Sequence, residues 1–301
     1  MTRMRVLWIC IGFAATCAVI GRAFERDIAI GMAKRRLHTL HMKVEANPSD
    51  ERSVADLMRI AEDQAYSATV REGAVQILGG VGVSRKRPEE IVTFLGKISG
   101  DEPNYLRQSA CDALGDMGPA ASMAVDDVLK AMKSYPGSSV ESRCARALGR
   151  IRADPEKVVP ALASLIPNRD PVTNQPSFCR GEELAALEAF GKSAIAAIPK
   201  LELAASDPDV EYRQAAVAAL SKVDPKNPRL GPAALSLVTA TDFVARHFGL
   251  TALEVCCRES IHGEMARIVA HTTCDSDIEN ANLARRLLTE SGVDTAECPS
   301  K

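Results

Sequence analysis

Aromatic side chains are scarce in this sequence: Phe, Trp and Tyr make up 4% of 301 residues, with a single tryptophan. A core of stacked rings is excluded, and so is the interleaving of aromatic and basic residues that stacks nucleic-acid bases. Charge of one sign is lacking too, since 37 Lys and Arg face 39 Asp and Glu, a net charge of -2. No global field favours nucleic acid. The two compact basic runs, Ser84-Arg85-Lys86-Arg87 and Lys34-Arg35-Arg36, read as solvated surface. There is no phosphate loop, Gly-x-Ser-x-Gly, His-Glu-x-x-His or dinucleotide fingerprint. Hydrolytic and nucleotide chemistry therefore have no motif to stand on, and no cofactor or small-molecule substrate is called for. Asp126 and Asp127 do not make a catalytic pair, because neighbours on a helix point about 100° apart. Strand patterns are scarce, and only one long apolar run occurs.

What is present is recurrence. Leu78, Leu114, Leu148, Phe190, Leu220 and Leu253 each stand near the end of an amphipathic segment, at spacings of 36, 34, 42, 30 and 33, the range of helix-pair arrays. Four residues before each anchor come Ala74, Ala110, Cys144, Ala186, Ala216 and Gly249, and one before it Ile77, Ala113, Ala147, Ala189, Ala219 and Ala252. Positions three apart share a helix face, so these small or apolar residues form a seam on which the next helix packs closely. Seven before the anchors stand Arg71, Arg107, Glu141, Glu183, Arg213 and Arg246, charges expected to remain solvated. Second helices are opened or kinked at Pro160 and Pro199, and Asp207-Pro208-Asp209-Val210 reads as a stop, a turn and a capped restart.

The Asp-x-x-x-x-x-Arg of Asp207 to Arg213, the Ala-Leu-Gly of Ala113 to Gly115 and Ala147 to Gly149, and the run Gly118 to Ala121 carry a resemblance to HEAT repeats. They resemble the short bacterial type grouped with phycobilisome lyases. The resemblance implies an all-α fold, an α-solenoid, that is, a superhelix of antiparallel helix pairs. It implies scaffold or adaptor roles more than chemistry.

The apolar run comprises Val6, Leu7, Trp8, Ile9, Cys10, Ile11, Gly12, Phe13, Ala14, Ala15, Thr16, Cys17, Ala18, Val19, Ile20 and Gly21, flanked by Arg3, Arg5 and Arg22. It predicts a single N-terminal apolar helix preceding the array. Sixteen residues span about 24 Å as helix, short of a hydrocarbon core of about 30 Å. A signal anchor, a cleaved signal peptide and a buried helix all remain open. The expectation is a membrane-anchored chain with its array on the extracytoplasmic side, or a secreted or periplasmic one after cleavage. Residues 1–23 form that segment, 24–66 a degenerate helix pair, 67–277 the array, and 278–301 a capping helix and tail. An insertion from Pro167 to Gly181 carries three prolines and reads as an irregular loop.

Nine cysteines are a high count for such an array. Cys10, Cys17, Cys111 and Cys144 read as small hydrophobes, and Cys274 with Cys298 is one conceivable disulfide. Cys256, Cys257, His262, His271 and Cys274 fall close together and give a metal- or redox-site alternative, although no Cys-x-x-Cys supplies a rigid half. The leading expectation is a groove on the second helices that binds a protein partner. Asp126, Asp127, Lys130, Lys133, Lys157, Lys200 and Glu202 are its polar positions, and a lyase-like auxiliary subunit is the remaining alternative.

Overall fold

A computed structural model describes residues 29–84, 88–101, 103–166 and 181–293. Every regular element among them is helical. α1 covers residues 29–46, followed by α2 (Glu51–Glu62), α3 (Ala68–Ser84), α4 (Glu89–Asp101) and α5 (Asn104–Met117). Then come α6 (Val125–Ser134), α7 (Ser139–Ile151), α8 (Pro155–Ala163), α9 (Glu182–Phe190) and α10 (Ile198–Ala204). The last five are α11 (Val210–Val223), α12 (Leu230–Val238), α13 (Phe243–Cys256), α14 (Gly263–Thr272) and α15 (Ile278–Glu290). The chain divides into two compact units, Met1–Ala113 and Leu114–Lys301. Within each, first and second helices alternate in a repeated, solenoid-like arrangement.

Local signals explain where helices begin. Asp50, Asp209, Asp242 and Asp277 each sit at an N-cap with the side chain accepting a backbone N–H three residues on, which satisfies a donor the helix leaves unpaired. Pro155 opens α8 and Pro199 stands in the first turn of α10, where a missing N–H costs nothing. Two 3-10 segments, Gly118–Ala124 and Gly191–Ala197, turn the chain from a first helix into a second. Gly118 has φ +57°, a left-handed conformation that glycine adopts without a Cβ penalty.

The small-residue seam is present, with one change of register. A Cβ added at Gly79 would stand 2.6 Å from the Ala113 Cβ, one at Gly115 3.0 Å from the Ala147 Cα, and one at Gly149 2.6 Å from the Ala186 Cα. In each case the glycine follows an anchor leucine and meets the alanine that precedes the next anchor. The fourth anchor is therefore Leu187, in place of Phe190. Ala189, expected in the seam, is exposed, whereas Ala186 and Leu187 are buried. The residue four before the corrected anchor is Glu183, fully buried at 0% exposure where the other copies carry Ala, Cys or Gly.

The charges expected to be solvated are another correction. Arg71 is 4% exposed and Glu141 3%. The Arg71 Nε donates to the Ala61 carbonyl at 2.7 Å, just where α2 ends. Arg213 donates to the Asp207 carbonyl at 2.6 Å, and Arg246 to those of Ala240 and Thr241 at 3.0 and 2.7 Å. Each arginine thus turns back onto the unpaired carbonyls after the preceding helix, where a cation is favoured. Glu141 accepts the Gly137 N–H at 2.6 Å while its own N–H meets Ser138 Oγ, a reciprocal cap at the start of α7.

The expected membrane-anchored localisation is also corrected: among the described residues no helix is long and apolar enough to cross a membrane. These helices are short and carry charged residues on their open faces, so none offers the about 20 apolar residues a span requires. The run from Val6 to Gly21, the insertion 167–180 and Cys298 lie outside the described residues.

Candidate partner-binding face

The seven groove positions lie on three second helices. Asp126 and Asp127 occupy the first turn of α6 and Lys133 its last, so acid and base each complement the helix dipole. Lys130 is exposed between them. The Lys157 Nζ on α8 reaches back to Asp126 at 3.0 and 3.2 Å, and this bond holds the ammonium above the usual lysine value. On α10, Lys200 is half-buried and shares a side with Leu203, which is 53% exposed. Glu202 accepts the Asn227 amide at 3.0 Å and pairs with Arg229 Nε at 3.2 Å, tying α10 to the start of α12. The structure therefore brings Asp126 to Lys157 and pairs Glu202 with Asn227 and Arg229, two partners that no local pattern picks out.

Two clefts on this side were not legible in the sequence. One, of about 560 Å³, has Glu202, Ala205, Ser206, Arg213, Ala233 and Ser236 in its lining, together with Pro228, Arg229 and Pro232. The other, of about 400 Å³, is lined by Val238, Thr239, Arg246, Ile268, His271 and Asp275. In the second, the Arg246 guanidinium makes a two-pronged contact with Asp275, Nε at 2.6 Å and the second nitrogen at 2.9 Å. Arg246 in turn holds the Asp275 carboxyl below its ordinary value of 3.8.

The cysteine and histidine residues of the metal alternative do not converge. Cys256 and Cys257 are joined to each other in a disulfide at the end of α13, and Cys274 is disulfide-bonded as well. A metal needs thiolates and neutral imidazoles aimed at one point. His262 is the N-cap of α14 and His271 lies in its last turn, lining the second cleft. Among the described residues no three His, Cys, Asp or Glu side chains are placed to hold a metal ion. Cys111 and Cys144 are fully buried, as expected of small hydrophobes, yet both are disulfide-bonded.

The deepest perturbation of charge lies at Glu183. Burial, with the carboxylates of Glu141 and Glu182 adding to it, pushes its carboxyl up to about 7. Tyr212 donates its hydroxyl to Oε1 at 2.8 Å, and Oε2 has no hydrogen-bond partner.

Comparison with known proteins adds a local family similarity and a fold. A family profile for HEAT repeats matches residues 91–175. No curated protein matches the sequence. Among solved structures, the archaeal HEAT-like repeats protein from Thermococcus onnurineus NA1 is similar with a TM-score of 0.56 at 14% identity, over 79% of this chain and 97% of that one. The complex of CpcE and CpcF of phycocyanin lyase from Nostoc sp. PCC7120 has a TM-score of 0.50 at 20% identity, over 78% of this chain and 92% of that one. At these identities the likeness concerns the fold. Together with the helix pairs described above, the comparisons support an all-α chain of repeated helix pairs, in which residues 91–175 are similar to HEAT repeats.

Proposed function

We propose that this chain is a protein-interaction scaffold whose second helices form the binding face. The observation that carries the reading is the link between successive repeats on that side. Lys157 of α8 bonds Asp126 of α6, and Glu202 of α10 bonds Asn227 and Arg229 ahead of α12. Repeated helix pairs present extended surfaces of this kind, and exposed Leu203 beside Lys200 adds an apolar contact to the polar row. Asp126, Asp127, Lys130, Lys133, Lys157, Lys200 and Glu202 are the contact positions.

Site-specific photocrosslinking tests the proposal. Probes at positions 130, 157 and 202 are expected to label one protein, while probes at Glu72 and Arg143 on first helices leave it unlabelled. Equal labelling from both sets removes the assignment of the face.

The likeness to the CpcE and CpcF complex of phycocyanin lyase supports a second reading, a lyase-like auxiliary subunit working in complex with another protein. A chromophore that co-purifies with the chain, seen as visible absorbance, would favour it. Colourless protein that neither binds nor transfers an added bilin would remove it.

A further inference from the structure

The two clefts on the second-helix side are copies of one another. Counting back from the N-caps Asp242 and Asp277, Ala233 corresponds to Ile268 and Ser236 to His271. Counting around Asp209 and Asp242, Ala205 corresponds to Val238, Ser206 to Thr239 and Arg213 to Arg246. One of the equivalent positions changes the charge of the site. Two residues before its N-cap the second cleft has Asp275, which takes the Arg246 fork; two residues before Asp242 the first has Ala240.

The loss of that carboxylate leaves a mark on Arg213. One of its terminal nitrogens is fastened to the Asp207 carbonyl, as Arg246 is to Ala240 and Thr241. Its Nε, however, is closed off from water and has no acceptor. A buried donor without an acceptor is unfavourable, and a guanidinium presents its donors as a planar fork matched to a carboxylate. The clefts otherwise differ in bulk: Ala, Ser, Ala and Ser replace Val, Thr, Ile and His, which leaves the first roomier, about 560 against 400 Å³. Glu202 also lines it, but its charge is taken up by Arg229 and the Asn227 amide.

We infer that the cleft between α10 and α12 receives a carboxylate side chain from an acidic segment of the protein partner; the Arg213 guanidinium, whose Nε is closed off in the unbound chain, turns its fork into the cleft it lines to take that carboxylate, as Arg246 takes Asp275. The inference rests on the second-helix binding face and gives its partner a chemistry. The molecule supplies its own template for the occupant, because an aspartate fills the equivalent place one repeat later.

The test uses the full chain, with hexa-aspartate and hexa-asparagine peptides as probes, read by fluorescence anisotropy at low salt. The wild type is expected to bind hexa-aspartate and to ignore hexa-asparagine. Ala240→Asp installs the missing internal acceptor, so hexa-aspartate binding weakens by about tenfold or more and the thermal midpoint rises by about 2–4 °C. Ala240→Asn, of the same shape but neutral, retains peptide binding, and Arg213→Gln loses it. Unchanged hexa-aspartate binding by Ala240→Asp, no binding by the wild type, or equal binding of both peptides overturns the inference. Succinate competing at the concentration of the peptide also overturns it, because the site would then take a free carboxylate. Failure here with crosslinks intact at positions 130, 157 and 202 removes the carboxylate seat and leaves the binding face. Lost crosslinks with peptide binding retained removes the face as assigned.

Discussion

Replacing Glu183 by glutamine should flatten the pH dependence of stability. Glu183 stands in the packing seam where the equivalent residues are Ala74, Ala110, Cys144, Ala216 and Gly249. Burial pushes its carboxyl from 4.5 to about 7. Because the folded value lies above the unfolded one, the fold favours the protonated acid. That contribution is complete below about pH 4.5, declines as the pH rises through 7, and is gone by about pH 8. At about 1.36 kcal/mol per pH unit the difference amounts to about 3 kcal/mol. Glutamine keeps an oxygen for the Tyr212 hydroxyl and never ionises. Urea titrations followed by far-ultraviolet circular dichroism at pH 5, 6, 7 and 8 would read the effect as the difference between variant and wild type. The difference should shift in the variant's favour by most of that amount between pH 5 and 8. A difference that stays constant, or moves the other way, refutes the buried-carboxylate account. Glu183→Ala gives an independent check, since it too must lose the titration even if losing the bond from the Tyr212 hydroxyl lowers its stability throughout.

Gly149→Ala should destabilise by about 1–3 kcal/mol, because the new Cβ would stand 2.6 Å from the Ala186 backbone and force α7 from α9. Thermal denaturation checks it. Gly80→Ala, in the interior of α3 with open space around it, should stabilise by up to about 1 kcal/mol in the same assay through helix propensity. Asp275→Asn should cost about 1.5–3 kcal/mol at neutral pH by removing a charge-assisted bond to Arg246. The native Asp275 carboxyl is held low, so its contribution is present above about pH 3.8 and is lost on acidification; the variant should show no such acid loss. Alkylation of denatured, unreduced protein should leave Cys256 and Cys257 unmodified, and prior reduction should add two alkyl groups there, as read by mass spectrometry.

The sequence by itself determined the helix-pair architecture, the aspartate caps and most of the seam. All of these rest on neighbours within a turn or two, and spacings of three and four report which residues share a helix face. The same periodicity could not place the fourth anchor, since Leu187 and Phe190 are three apart and share a face, as do Ala186 and Ala189. Only the approach of Gly149 to Ala186 decides between them. Nor does local pattern show whether an arginine at a helix start meets water or the carbonyls of the preceding helix, as Arg71, Arg213 and Arg246 do. The clefts required tertiary structure for the same reason: Asp275 reaches Arg246 from 29 residues away, and the missing partner of Arg213 becomes visible only when the two repeats are laid side by side. Local chemistry writes the helices, and contacts between distant repeats decide which charges are buried and which of them still lack an acceptor.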